Sequence, residues 1–350
     1  MGLARFIAIK LANTLILLVI VSVIISGLFA PVMDQYARAT IEEQIRAELQ
    51  NPDLQRSFGG NSTAIQEYIN QRRAQLYKQY ELDKPLIYRI FKRAFDALLF
   101  KFGKSYSLQA PDGTRDINKL LLSRFPPTII LFTTATIITA ILGIFLGLQA
   151  AKKHGSLFDK SLAVYSLFSY SIPTWWIGMI FILIFSFQLG LFPLGGMHSI
   201  PPPKDPLESF IDLLWHLALP LFTVVLVSFG GWAYVVRNIV IETITQDYIM
   251  VARAKGLPES RVMYHVLRAA APPIVTMVIL SILGSLGGAI ITETVFNWPG
   301  MGVLYWQAIT QNDLPVVIAE GYFFAFLYVI AMFFAELMYG LLDPRVRVQW

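Results

Sequence analysis

Long apolar runs separated by short charged stretches set the organisation of this chain. A bilayer-spanning helix needs about 20 mostly apolar residues, and six stretches reach that length. They are Lys10 to Pro31, about Pro126 to Ala151, about Ser161 to Leu189 with a bend predicted at Pro173, Leu213 to Val236, Ala270 to Thr292, and about Leu314 to Leu341. The basic start of the first (Arg5, Lys10) has the look of a signal peptide. Its apolar stretch is too long for one and has no small-x-small cleavage pattern, so a retained span is expected. The last stretch carries Glu320 and Glu336 towards its ends, where a carboxylate can reach the interface. The pattern predicts an all-α integral membrane protein with six transmembrane helices, a multi-pass protein of the cell membrane.

Composition agrees. Hydrophobic residues make up 55% of the 350 residues and charged residues 15%, against about 25% charged in soluble proteins. Lysine and arginine in short loops then choose the orientation. One side collects Arg5, Lys10, Lys152, Lys153, Lys160 and the segment from Arg237 to Arg268, with Arg345 and Arg347 in the tail. The opposite loops, near 190–212 and 294–313, hold only Lys204. Both termini are therefore expected in the cytoplasm, with a large extracytoplasmic segment between helices 1 and 2. The expected plan is a first helix over 1–32, an extracytoplasmic helical segment over 33–124, a five-helix core over 125–342 with a cytoplasmic loop at 244–270, and a cytoplasmic tail at 343–350. The net charge of +5 carries no nucleic-acid signal, because basic residues also flank spans for topological reasons.

The segment 33–124 is polar and mixed in sign. Ile41–Leu49 and Thr63–Leu76 suit solvated helices, with a turn at Phe58–Thr63 between them. The stretch from Lys84 to Phe100 is amphipathic and aromatic. It suits either a helix lying on the membrane surface or a loop helix packed on the bundle. Asn61-Ser-Thr63 matches the N-glycosylation pattern, which also arises by chance.

Three groups of residues carry candidate function. The first is the charged insert between the fourth and fifth spans. Asp247 is a good N-cap, and Gly256 followed by Pro258 is a good helix stop. Between them a helix of about 12 Å is expected at 1.5 Å per residue. Its residues Asp247, Tyr248, Ala252, Arg253, Ala254, Lys255, Gly256 and Leu257 form a capped knob suited to docking a partner. Arg253, Lys255 and Arg261 either pair with that partner or are ordinary positive-inside residues. The second group is the small-residue stripe Ser281, Gly284, Ser285 and Gly288. It serves helix packing, an interface with another subunit, or a pathway wall; Gly143 and Gly147 offer close packing in the same way. The third is the outer segment with Glu293, Trp298, Pro299 and Gly300. It is too broken to span, and a short helix is expected through Tyr305–Ile309. Trp298 is read either as the plug of an outer gate or as an interfacial aromatic anchor.

Other chemistries find little support. Cysteine is absent, and the four histidines (His154, His198, His216, His265) have no i,i+3 or i,i+4 partners, so no metal site is expected. The only Gly-Lys-Ser, at Gly103–Ser105, has Leu98 where a phosphate-binding loop needs its first glycine. The spans carry almost no mid-membrane charge, which argues against an ion-coupled transporter. A membrane enzyme would need paired catalytic groups that Glu320, Glu336 and His216 do not supply.

Seven short motifs occur in a telling order. Leu82-Asp-Lys-Pro-Leu86 is followed by Phe102-Gly-Lys-Ser-Tyr106, then Arg124-Phe-Pro-Pro-Thr128. Ala252-Arg-Ala-Lys-Gly-Leu257 with His265-Val-Leu-Arg268 comes next, then Glu293-Thr-Val-Phe-Asn-Trp-Pro-Gly-Met-Gly302 and Leu341-Leu-Asp-Pro-Arg345. Together these resemble the first of the two permease subunits in dipeptide/oligopeptide-class ATP-binding-cassette importers, over roughly residues 80–350. The general importer loop begins Glu-Ala-Ala where this chain has Met250, Val251 and Ala252, a departure that peptide-class permeases share. Residues 34–76 have no counterpart in the resemblance.

The resemblance implies a permease, not an enzyme, forming half of a pathway for short peptides. It implies two cytoplasmic ATPase subunits that hold ATP and Mg, a second homologous permease, an external substrate-binding protein and surrounding lipid. No cofactor is expected on this chain and no nucleic acid is a partner. Oligosaccharide import by the same machinery is the alternative, and a non-transport membrane enzyme or sensor is the further one.

Overall fold

One helix, α1, runs unbroken from Leu3 to Leu49. At 1.5 Å per residue it is about 70 Å long, well beyond the roughly 40–45 Å of a whole bilayer. The separate helix expected over Ile41–Leu49 is its far end, and the boundary expected at residue 32 falls inside it. Two further helices, α2 (Pro52–Phe58) and α3 (Ser62–Gln79), fold back along this extension. Ala37, Ile41 and Ile45 of α1 bury against Leu76 and Leu82, and Glu42–Arg73 and Glu48–Arg72 ion pairs, both at 2.7 Å, lace the edges. Asn61 caps α3, its side chain accepting from the Thr63 and Ala64 N–H groups.

The computed structural model describes residues 3–59 and 61–342. Among them the regular elements are helical, with one isolated bridge between Lys104 and Asp116. The expected tail 343–350 lies outside the described residues, as does the end of the Leu341–Arg345 motif.

Helix α4 (Leu86–Leu98) buries Arg89, Ala94 and Ala97 and leaves Ile87, Phe91 and Phe95 exposed. It is packed on α1 and amphipathic at once. The second span is one rod: α5 (Ile117–Thr128), a π-helical stretch (Ile129–Thr133) and α6 (Thr134–Lys152). Pro126 and Pro127 lie inside α5 and supply no N–H, which is where the ladder slips to wider bonds. The boundary expected at residue 124 therefore falls within a helix.

The third apolar stretch is broken rather than gently bent. Helix α7 (Leu157–Ser171) meets α8 (Thr174–Phe181) and its π-helical extension to Gln188 at 91°. Ile172, held extended before Pro173 (φ −97°, ψ 126°), makes the corner, as expected for a residue preceding proline. Helix α9 (Pro206–Ile244) is packed closely on α6. A Cβ on Gly143 would sit 2.6 Å from the Trp232 Cβ, and one on Gly147 2.5 Å from the Ala233 carbonyl oxygen. That is the close approach predicted for those glycines.

The chain continues through α10 (Asp247–Ala254), α11 (Glu259–Ser285), α12 (Ile290–Val295), α13 (Met301–Thr310) and α14 (Leu314–Leu342). The fifth span ends at Ser285, earlier than expected, and Thr292 belongs to the separate α12. Among the described residues five helices are long and apolar enough to span, or six if the bent pair counts as one. The bundle has two distinct ends. Helix α10, Lys152 and His154 lie together at one. The α1 extension, α4, residues 100–116 and α13 gather at the other, tied by Asp34–Arg93 (3.0 Å) and a Tyr36–Tyr106 ring stack.

Candidate functional site

Helix α10 is the expected eight-residue element, with its start read one residue late. Gln246 occupies the N-cap position without a side-chain cap bond, so Asp247 is the first helical residue. There its charge still opposes the exposed N–H groups. Gly256 follows the helix at φ +78°, and its N–H donates to the Arg253 carbonyl at 2.9 Å. Ile249 is fully buried among Val236 and Val240 of α9 and Val262, Val266 and Ala270 of α11. Truncating it, Ile249→Ala, is expected to cost about 2–5 kcal/mol, read as a lower unfolding temperature of the purified protein.

With Ile249 turned inward, Tyr248, Met250 and Val251 are each about half exposed (51%, 53% and 50%). Ala254, Lys255 and Gly256 are exposed beside them, while Ala252 and Leu257 are half buried. Met250 and Val251 escaped the sequence reading. Their position one and two residues past the anchor on a 3.6-residue turn is the signal that finds them. Arg253 is engaged within the chain, its Nη2 donating to the Glu259 carboxylate at 2.7 Å. Among the described residues Lys255 and Arg261 carry no ion pair.

A cavity of about 720 Å³ opens at the α7–α8 corner, walled by α7, α9 and α11. Hydroxyls from Ser169, Ser171, Thr174, Ser228 and Ser281 line it beside Tyr170, Trp232 and Tyr234, and no charged side chain does. The small stripe thus divides by task. Ser281 faces the cavity, and a Cβ on Gly284 would meet nothing within 4 Å. Ser285 shares a 2.9 Å hydrogen bond with Thr133, and Gly288 (φ +64°) passes tightly by Glu293 and Thr128.

At the opposite end Glu293 is fully buried. Its carboxylate accepts from the Thr128 hydroxyl (2.8 Å) and from the Gly302 and Val303 N–H groups (2.6 and 3.3 Å) at the start of α13. The Thr128 hydroxyl oxygen in turn accepts from the Met301 N–H at 2.8 Å. A Cβ on Gly300 would come within 2.5 Å of both Glu293 and Thr128, so only glycine lets this knot close. Trp298 is fully buried, its indole N–H donating to the Pro127 carbonyl at 2.8 Å. That corrects the reading of Trp298 as an interfacial anchor. Pro299 is half buried between Trp298 and Gly300. Thr128 escaped the sequence reading as a site residue, although a hydroxyl straight after Pro-Pro in an apolar run is a usable sign.

Asp313 ties the same end to the lead-in loop. One of its oxygens accepts from the Ser105 hydroxyl (2.6 Å) and from the Tyr106 and Ser107 N–H groups (3.0 and 2.9 Å). Burial pushes this carboxyl up, but those bonds outweigh it and hold the pKa below the usual value. A depressed carboxyl stabilises above its unfolded pKa of about 3.9 and stops doing so as pH falls through the lower folded value. Asp313→Asn is therefore expected to lower the unfolding temperature at pH 7, with the gap to the unsubstituted protein closing below about pH 4.

Residues 140–348 match the model of the binding-protein-dependent transport system inner membrane component. Curated relatives are similar over most of their length. The oligopeptide transport system permease protein AppB of Bacillus subtilis (strain 168) is 32% identical over 276 residues, covering 79% of this chain and 85% of the relative. The di/tripeptide transport system permease protein DppB of Pseudomonas aeruginosa (strain UCBPP-PA14) is 34% identical over 295 residues, covering 80% and 86%. The dipeptide permease DppB of Escherichia coli (strain K12) is 32% identical over 295 residues, covering 79% and 86%.

Proposed function

Because the chain belongs to the inner-membrane components of binding-protein-dependent transport systems, we propose that it forms half of the pathway by which an ATP-driven importer moves short peptides. An external binding protein delivers the solute, a second homologous permease supplies the other half, and two cytoplasmic ATPase subunits hold ATP and Mg. The observation that carries this reading is the uncharged, hydroxyl-lined cavity at the α7–α8 corner. Hydroxyls offer hydrogen bonds to a peptide backbone without fixing a charge, which suits passage more than capture. Tyr170, Trp232 and Tyr234 beside them also suit sugar rings, so oligosaccharide is the second reading.

Helix α10 supplies the drive. The basic side chains Lys152, Arg253 and Lys255 gather at its end of the bundle, which supports a cytoplasmic position by the positive-inside bias. The half-exposed Tyr248, Met250 and Val251 form an apolar patch for a groove on an ATPase. Ile249 anchors α10 to α9 and α11 together, and both of those helices wall the cavity. A pull on α10 is thereby passed to the pathway. The knot of Glu293, Thr128 and Trp298 closes the outer side, with Arg261 and Lys255 free to pair with the ATPase.

Ser281→Trp puts an indole into the cavity wall. In proteoliposomes carrying the whole complex, labelled di- to pentapeptide uptake is expected to fall to background while the binding protein's affinity for peptide is unchanged. Undiminished uptake would take the cavity out of the pathway, and uptake of oligosaccharides but not peptides would select the second reading.

A further inference from the structure

Where α1, α4 and α14 meet, a second cavity of about 130 Å³ has a different chemistry from the pathway. Its walls carry Arg93, Asp96 and Lys101 beside the apolar Phe29, Met33 and Ile318. Arg93 gives one guanidinium nitrogen to Asp34 at 3.0 Å, and its other terminal nitrogen is buried without a hydrogen-bond partner. Asp34 is also paired with Arg89, so one negative charge faces two arginines and a net positive charge remains. A buried cationic donor without an acceptor is costly, which makes this a place that calls for an anionic oxygen. Lys101 is exposed and carries no ion pair among the described residues. It adds a second cation on the same wall, while Asp96 adds one carboxylate.

The position of the cavity sets what can reach it. Pro315 and Tyr322 both line it, so it spans about the first 12 Å of α14 at 1.5 Å per residue. That depth covers the headgroup layer and the start of the hydrocarbon of one leaflet. Helix α4 points the same way: Ile87, Phe91 and Phe95, exposed by 70%, 58% and 61%, form an apolar face suited to the membrane interface. No soluble ligand needs that face.

We propose that this cavity is a structural lipid site for the headgroup of a phosphatidylethanolamine-type phospholipid in the outer leaflet. The phosphodiester oxygens accept from the Arg93 guanidinium and from Lys101, the primary ammonium donates to Asp96, and an acyl chain follows Phe29, Met33 and Ile318. The site pins α4, and with it the α1 extension, to the head of α14. It is independent of what the pathway carries.

The test uses the intact permease complex, delipidated in detergent and titrated with phosphatidylethanolamine or phosphatidylcholine, with bound lipid counted by native mass spectrometry. Tight binding of phosphatidylethanolamine is expected, weakened about tenfold by Lys101→Gln, the weight of one charge-assisted hydrogen bond. Lys101 has no ion pair to lose, so this variant folds; Arg93→Gln is expected to weaken binding more. Asp96→Asn should erase the preference over phosphatidylcholine while leaving phosphate-dependent binding. Equal retention of both lipids by the unsubstituted complex would overturn the proposal. So would displacement of the lipid by 10 mM inorganic phosphate, roughly the level at which a simple anion site of millimolar affinity fills. A loss with Lys78→Gln, on the exposed side of α3, equal to that with Lys101→Gln would also overturn it.

Discussion

Gly256→Pro is expected to reduce ATP-driven uptake to background in proteoliposomes, while the complex still assembles and the binding protein keeps its affinity. The reason is conformational. Gly256 sits at φ +78° in open space, with nothing within 4 Å of a would-be Cβ. Proline is locked near φ −65° and has no N–H, so it cannot take this corner and also deletes the bond to the Arg253 carbonyl. The local penalty is about 3 kcal/mol or more, large enough to unwind the last turn of α10 and misdirect the start of α11. Gly256→Ala is the graded control. It keeps the N–H and meets no clash, so only the left-handed backbone cost of about 1–3 kcal/mol remains, and partial uptake is expected. Because ATP hydrolysis resides on the ATPase subunits in this reading, its rate should persist while stimulation by loaded binding protein disappears. Full uptake by the proline variant would remove α10 from the coupling route.

Glu293→Ala should be the most destabilising single change at the opposite end, lowering stability by about 3–5 kcal/mol through stranded buried donors that each cost about 1–3 kcal/mol. It strands the Thr128 hydroxyl and the N–H groups of Gly302 and Val303 in a fully buried site. Glu293→Gln keeps one carbonyl acceptor and the shape, so its cost is expected nearer 1–2 kcal/mol. Thermal unfolding of the purified protein followed by tryptophan fluorescence reads both, since Trp298 is hydrogen bonded to Pro127 within the same knot. Equal melting of the alanine variant and the unsubstituted protein would mean the knot is open in the folded protein.

The six apolar stretches, a change of direction at Pro173 and the short helix α10 stopped by Gly256 were legible in the sequence because each rests on short-range chemistry. Apolar length, the missing N–H of proline and the left-handed tolerance of glycine act over a few residues. Helix ends were less legible. The α1 helix runs through Pro31 to Leu49, because burial of Ile41 and Ile45 against α3 carries it past the point where hydropathy falls. The fifth span stops at Ser285, since Gly288 is drawn against Glu293 by a contact from beyond the span.

By itself the sequence determined that this chain is a helical membrane protein with a short helix in the loop between two spans, since transfer free energy and local backbone preference need no partner. Only the tertiary structure decided which side chains share a site. Thr128 and Glu293 are 165 residues apart, as Ser105 and Asp313 are 208. Hydrogen bonds across such separations depend on how the helices pack, and no periodicity in the chain encodes them.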